Sequence, residues 1–153
     1  MEDQAQLLAR IAAALEQLAP SRQADTDWHA HPAYVWDESG ARGVTRIDAP
    51  ALGLLRGIDK QKRTVTGNVA RLAGGKPAHD MLLWGARGMG KSALLRASVS
   101  EAQGRGGNIA LVQVATDAVT SLPSLFAELS GIARNFLVFL DDLGFSDGDS
   151  TTP

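Results

Sequence analysis

Eight consecutive residues carry the clearest chemistry in the chain: Gly85-Ala86-Arg87-Gly88-Met89-Gly90-Lys91-Ser92. They fit the pattern G-x-x-x-x-G-K-[ST], and each residue type has a physical task there. The glycines accept positive φ and bring the main chain close to an anion, so that its N–H groups line a cup for phosphate oxygens. A helix beginning where the loop ends adds free N–H groups and the positive end of its dipole. Lys91 brings a point charge to the β- and γ-phosphates. Ser92 offers its hydroxyl oxygen to Mg²⁺, a hard cation that prefers oxygen. Gly85, Ala86, Arg87, Gly88, Met89, Gly90, Lys91 and Ser92 are thus the expected nucleotide-binding residues. The competing reading is a glycine-rich strand–turn–helix junction without a ligand, and for Arg87 alone simple solvent exposure.

A second group of residues lies downstream. Phe136-Leu137-Val138-Phe139-Leu140 is an almost wholly apolar run that ends in Asp141-Asp142. A buried strand ending in an acid is common on its own. Here it stands 50 residues after Lys91, with room for one strand and two helices between, and that spacing gives it meaning. Asp141 is then expected at the carboxyl end of a strand, where open α/β sheets place ligands, holding Mg²⁺ through water together with Ser92. Asp142, next to it, is expected to orient or deprotonate the attacking water. Lys91 and Asp142 are the expected catalytic pair.

These groups need a scaffold. Residues 2–19 carry Leu8, Ile11, Leu15 and Leu18 at helical spacing before Pro20, which predicts an amphipathic helix over the segment 1–20. Residues 21–50 hold prolines and glycines around Trp28, Tyr34 and Trp36, and read as an irregular aromatic arm packed on something. His29 and His31 near Asp27 make only a weak metal-site pattern, since no third clear ligand accompanies them. The segment 51–153 reads as the α/β part. A helix is predicted over 59–73, with Asp59 as N-cap, an apolar stripe of Val65, Val69 and Leu72, and Gly74-Gly75 as its stop. Met81-Leu82-Leu83-Trp84 then reads as a buried strand. A helix over 91–103, a strand over 109–114, a helix over 122–133 and a strand over 136–140 follow. The alternation predicts a parallel α/β sheet covered by helices on both faces.

The 153 residues suffice for one domain with a real core, and 44% hydrophobic with 21% charged residues excludes a mainly disordered chain. Absence of cysteine excludes disulfides, thiolate metal sites and cysteine nucleophiles. No apolar run reaches the ~20 residues of a membrane helix, and the acidic start is unlike a secretory signal, so the expectation is a soluble cytoplasmic protein with no membrane partner. The net charge is −2, yet residues 56–105 hold ten basic and three acidic side chains, and the acids Asp141, Asp142, Asp147 and Asp149 follow. A basic middle beside an acidic tail suits an anionic ligand with a cation. It carries few aromatics to stack bases, which argues against nucleic acid.

The stretches LLRGIDKQKRTVTGNVARLAGGKPAHDMLLWGARGMGKSALLRA and NFLVFLDDLGFSDGDS resemble a family of uncharacterised bacterial AAA+-type P-loop ATPases that form a domain of unknown function. The likeness runs from about residue 30 to residue 150. It implies an AAA+-like P-loop fold, ATP with Mg²⁺ as cofactors, hydrolysis, and a homo-oligomer or protein partner. It also suggests that Gly57 and Ile58 border the adenine, where such ATPases place a Gly–apolar pair. Many relatives have Glu where this chain has Asp142. Members of the family continue past the acidic tail with further strands, an arginine finger and a helical lid. The chain is therefore expected to be incomplete at its C-terminus, as an N-terminal portion or a shortened relative, and a weak hydrolase as it stands. The alternative is a non-catalytic, nucleotide-dependent interaction module or an inactive fragment. A small P-loop kinase or GTPase is disfavoured, because no acceptor segment and no Asn-Lys-x-Asp guanine reader occur.

Overall fold

The computed structural model of the chain describes Arg10, residues 26–86 and residues 88–141. The helix expected over 1–20 lies, Arg10 apart, outside the described residues. Four strands form one sheet: β1 (Ala33–Asp37), β2 (Gly40–Val44), β3 (Ile109–Val114) and β4 (Asn135–Leu140). Their spatial order is β2-β1-β3-β4. β1 runs parallel to β3 and β3 parallel to β4, whereas β2 runs antiparallel to β1. The helices are α1 (Asp59–Ala73), α2 (Lys91–Gly104) and α3 (Leu122–Ser130). The protein thus has an α/β fold with a mixed, mostly parallel sheet.

The expected all-parallel sheet is corrected at its outer edge. Only Glu38 and Ser39 separate β1 from β2, and a two-residue connection can join strands only as an antiparallel hairpin. Asp37 builds that turn. Its carboxylate accepts bonds from the Ser39 hydroxyl at 2.5 Å and the Ser39 N–H at 2.8 Å. Those bonds, with Arg42 nearby, hold the Asp37 carboxyl below the usual carboxylate range. The segment read as irregular therefore contributes two strands of the sheet.

Alternate residues of the strands feed two cores on opposite faces. On one face Ala33, Ile109, Leu111 and Leu137 pack with Val65 and Val69 of α1 and Leu94, Leu95 and Val99 of α2. On the other, Tyr34, Trp36, Ala110, Val112 and Val114 pack with Trp28 and with Leu125 and Leu129 of α3. The runs IALVQV and NFLVFL are apolar at almost every position because both faces of the sheet are covered. Trp36 spans the second face, its indole N–H donating to the Ser121 hydroxyl at 2.8 Å. The aromatic arm is thus anchored in the second core.

α1 keeps its predicted bounds, but its start differs. Ile58 is the residue before the first turn and gives no side-chain cap; Asp59 lies inside the helix and pairs with Lys62 at 3.8 Å. The helix expected to reach 133 ends at Ser130. A 3-10 turn over Thr116–Ser121 precedes it, so Thr116 and Asp117 begin a turn.

The larger correction concerns Met81-Leu82-Leu83-Trp84. None of the described strands pairs with this segment. It keeps a strand's two-residue rhythm all the same. Met81 and Leu83 pack against the first core, while Leu82 is 82% and Trp84 is 87% exposed. An apolar run reveals affinity for a core, whereas a strand also needs a neighbour for its main chain, and none of the described strands gives this segment one. The approach to the segment is pinned to α1: the Asn68 amide and the His79 main chain exchange bonds of 2.6 and 2.9 Å, and the Arg71 guanidinium donates to the Pro77 carbonyl at 2.9 Å.

α1 and α2 meet tightly at the turn leading into β3. A Cβ added to Gly107 would stand 2.8 Å from the Ala102 carbonyl oxygen and 2.8 Å from the Ala73 Cβ. Neither neighbour is the end of a flexible chain. Gly107→Ala is expected to destabilise the fold by about 1–3 kcal/mol, the usual range for overpacking. A urea melt checks this: the midpoint should fall with an unchanged slope.

Candidate functional site

The glycine-rich loop leads directly into α2. Gly90 occupies the position before the helix with φ +78°, and Gly88 has φ +81°. Both values lie in the left-handed region that side chains other than glycine rarely adopt, so the bend rests on the residue types themselves. The first helical bond runs from the Leu94 N–H to the Gly90 carbonyl at 2.8 Å. The N–H groups of Lys91, Ser92 and Ala93 are left without a helical acceptor, at the positive end of the dipole.

Lys91 turns its ammonium back over the loop. It donates to the Gly85 and Ala86 carbonyls, each at 2.9 Å. The Met89 N–H reaches the Ala86 carbonyl at 3.4 Å, and the Met89 side chain is 66% exposed. Ser92, one residue further, faces the sheet. Its hydroxyl stands 2.9 Å from each carboxylate oxygen of Asp141 and donates its single proton to that group. Asp141 follows the last residue of β4, at the carboxyl end of the parallel strands. Two residues 49 apart in sequence thus meet beside the loop. α2 holds them together, because Leu94, Leu95 and Val99 fix it to the same face of the sheet.

The next turn of α2 repeats the arrangement. Arg96, four residues after Ser92, donates to the Gln113 side-chain carbonyl on β3 at 3.0 Å. One helix face therefore carries two polar rungs onto the carboxyl end of the sheet, Ser92–Asp141 and Arg96–Gln113. The hydroxyl and carboxylate are hard oxygen donors side by side, a set that suits Mg²⁺ held partly through water.

The remaining candidates are placed as follows. Gly57 is exposed with φ +75°, and Ile58 is half-buried against the first core. Neither forms a hydrogen bond with the loop among the described residues; the Ile58 carbonyl accepts from the Lys62 N–H at 2.8 Å. Arg87 and Asp142 lie outside the described residues. Asp27 accepts from the His29 main chain at 2.9 Å, and no metal-ligand cluster occurs among the described residues. No described helix is long and apolar enough to cross a membrane.

Sequence reasoning missed Arg134, which reads as a surface cation. Its guanidinium donates to the Trp28 carbonyl at 2.7 Å, the His31 carbonyl at 2.8 Å and the Ile109 carbonyl at 3.3 Å. It ties the segment before β1 to the start of β3. No side-chain signal could have found it, because its acceptors are main-chain carbonyls.

Residues 29–152 match the family described as "Protein of unknown function (DUF815)", and the chain belongs to that family. No curated protein and no solved structure matches it.

Proposed function

We propose that the chain is an AAA+-like P-loop protein that binds ATP with Mg²⁺ at the 85–92 loop and hydrolyses it. The observation that carries this reading is the meeting of Ser92 and Asp141 at 2.9 Å beside the start of α2. Two motifs expected to serve one Mg²⁺ come from distant parts of the sequence and share one place. The loop supports the rest. Left-handed glycines shape it, and the free N–H groups at the start of α2 favour an anion. The Lys91 ammonium can leave the Gly85 and Ala86 carbonyls for phosphate oxygens, a stronger charged partner.

Each residue then has a role. Lys91 orients the β- and γ-phosphates. Ser92 and Asp141 would hold Mg²⁺, which when bound neutralises phosphate charge. Asp142 would position the water that attacks. Gly57 and Ile58 would border the base. The family resemblance extends the reading to assembly with further copies or with a protein partner.

Calorimetry with ATP in the presence and absence of Mg²⁺ tests the binding. Ser92→Ala and Asp141→Asn should each weaken Mg²⁺-dependent ATP affinity by about tenfold or more, the scale of one charge-assisted contact, while Mg²⁺-free binding changes little. Equal Mg²⁺-ATP affinity in the wild type and both variants would overturn the assignment. Single-turnover phosphate release then separates an enzyme from an interaction module. Release that Asp142→Asn abolishes supports hydrolysis; tight binding with no release refutes it and leaves a binding module.

A further inference from the structure

A cleft opens on the face of the sheet that α2 covers. It lies between β1, the chain leaving β2, β3 and α2, and has a volume of about 180 Å³. Its walls are apolar, formed by Val35, Ile47 and Leu111 among others. Four polar residues are among those lining it: exposed Arg46 and Asp48, and the hydrogen-bonded pair Arg96 and Gln113.

The state of those four groups is informative. Arg96 spends one of its five N–H donors on Gln113, and the other donors have no acceptor among the described residues. Arg46 and Asp48 form neither a hydrogen bond nor an ion pair among the described residues. Arg46 and Asp48 are opposite charges two residues apart, exposed to water and without a protein partner among the described residues, beside a cleft with apolar walls; a ligand that carries both charges can replace that water.

We propose that this cleft binds a free amino acid with a short apolar side chain. The two guanidinium groups take its carboxylate, with Gln113 orienting Arg96; Asp48 takes its ammonium; Val35, Ile47 and Leu111 pack against its side chain. The volume suits a molecule of that size and is below the usual range for a nucleotide or drug-sized ligand, about 300–1,000 Å³. The site is separate from the ATP reading and does not depend on it. It has one physical link to the loop: Arg96 stands one turn, about 6 Å, along α2 from Ser92.

Chemical-shift titration of the full chain with leucine, in the absence of nucleotide, tests the proposal. Saturable shifts are expected at residues lining the cleft. 4-Methylpentanoate, which lacks the ammonium, and isopentylamine, which lacks the carboxylate, should each bind about tenfold more weakly or worse, the scale of a lost charge-assisted contact. Arg46→Ala and Asp48→Asn should weaken leucine by a similar factor. Both residues are exposed, so these variants should fold even where a change at half-buried Arg96 disturbs α2. Absence of saturable shifts overturns the proposal. So does equal binding of the acid without its amine, or leucine binding that neither variant alters. Because nucleotide is left out, failure here leaves the ATP assignment untouched, and failure of ATP binding leaves this site untouched.

Discussion

Lys91→Ala is expected to lower ATP affinity by about a hundredfold or more while leaving the melting temperature nearly unchanged. The ammonium is the one described loop charge placed to move onto phosphate oxygens, and a buried or bridging contact of this kind is worth about 1.5–3 kcal/mol for each charged bond it makes. Two such bonds account for the loss. The fold should tolerate the change, because Lys91 lies at the first position of α2, where alanine is at least as good a helix former, and its partners are carbonyls of the loop itself. Isothermal titration with ATP and a thermal melt of the same sample read the two effects. Unaltered affinity would remove the loop from the site altogether. Lys91→Arg separates charge from shape: a guanidinium keeps the charge but is a planar fork in a loop fitted to a compact ammonium, so it should restore only part of the affinity.

Arg134→Ala should have the largest effect on stability, and none specific to nucleotide. The guanidinium bonds three main-chain carbonyls, those of Trp28, His31 and Ile109. Trp28 and Ile109 are buried, at 4% and 0% exposure. Truncation takes this donor from the Trp28 and His31 carbonyls, while the Ile109 carbonyl keeps the Gln103 amide at 2.9 Å, and each lost bond costs about 1–3 kcal/mol. A total of about 3 kcal/mol, or on the order of 10 °C in melting temperature, is expected. Arg134→Lys should recover little, since an ammonium cannot reach three divergent carbonyls from one stem. Differential scanning calorimetry gives the answer directly; a loss below about 1 kcal/mol would show that the clamp contributes no more than an ordinary hydrogen bond.

What the sequence reveals follows from which interactions leave a trace in residue type. α1 was legible because burial imposes a stripe of Val65 and Val69 and because Gly74-Gly75 ends it. β3 and β4 were legible because a strand covered on both faces must be apolar throughout. The β1–β2 hairpin was hidden: GARGV has two glycines and an arginine, and the Glu38-Ser39 turn lacks the Asn-Gly or Asp-Gly pair that usually marks a tight hairpin. Its trace was indirect, in two tryptophans and a tyrosine too apolar for a free linker. Met81-Leu82-Leu83-Trp84 misled in the opposite sense, since its composition records a preference for the core and says nothing about a neighbour for its main chain.

The candidate site divides along the same line. The glycine–lysine–serine spacing of the loop and the acid ending β4 are written in side chains, and their convergence followed from the number of elements between them. The Arg96–Gln113 rung and the Arg134 clamp were not legible. A glutamine inside an apolar strand has many uses, and carbonyl acceptors belong to every residue alike.

The environments of the three tryptophans also supply an optical probe. Trp28 and Trp36 sit in the second core at 4% and 5% exposure, whereas Trp84, adjacent to Gly85, is 87% exposed. The two inner indoles should emit to the blue and ignore iodide; the outer one should emit to the red and be quenched. Any event that rearranges the bend after Trp84 therefore acts on a separate spectral band. Occupancy can be followed by steady-state fluorescence of the unlabelled chain, and a Trp84→Phe variant provides the blank.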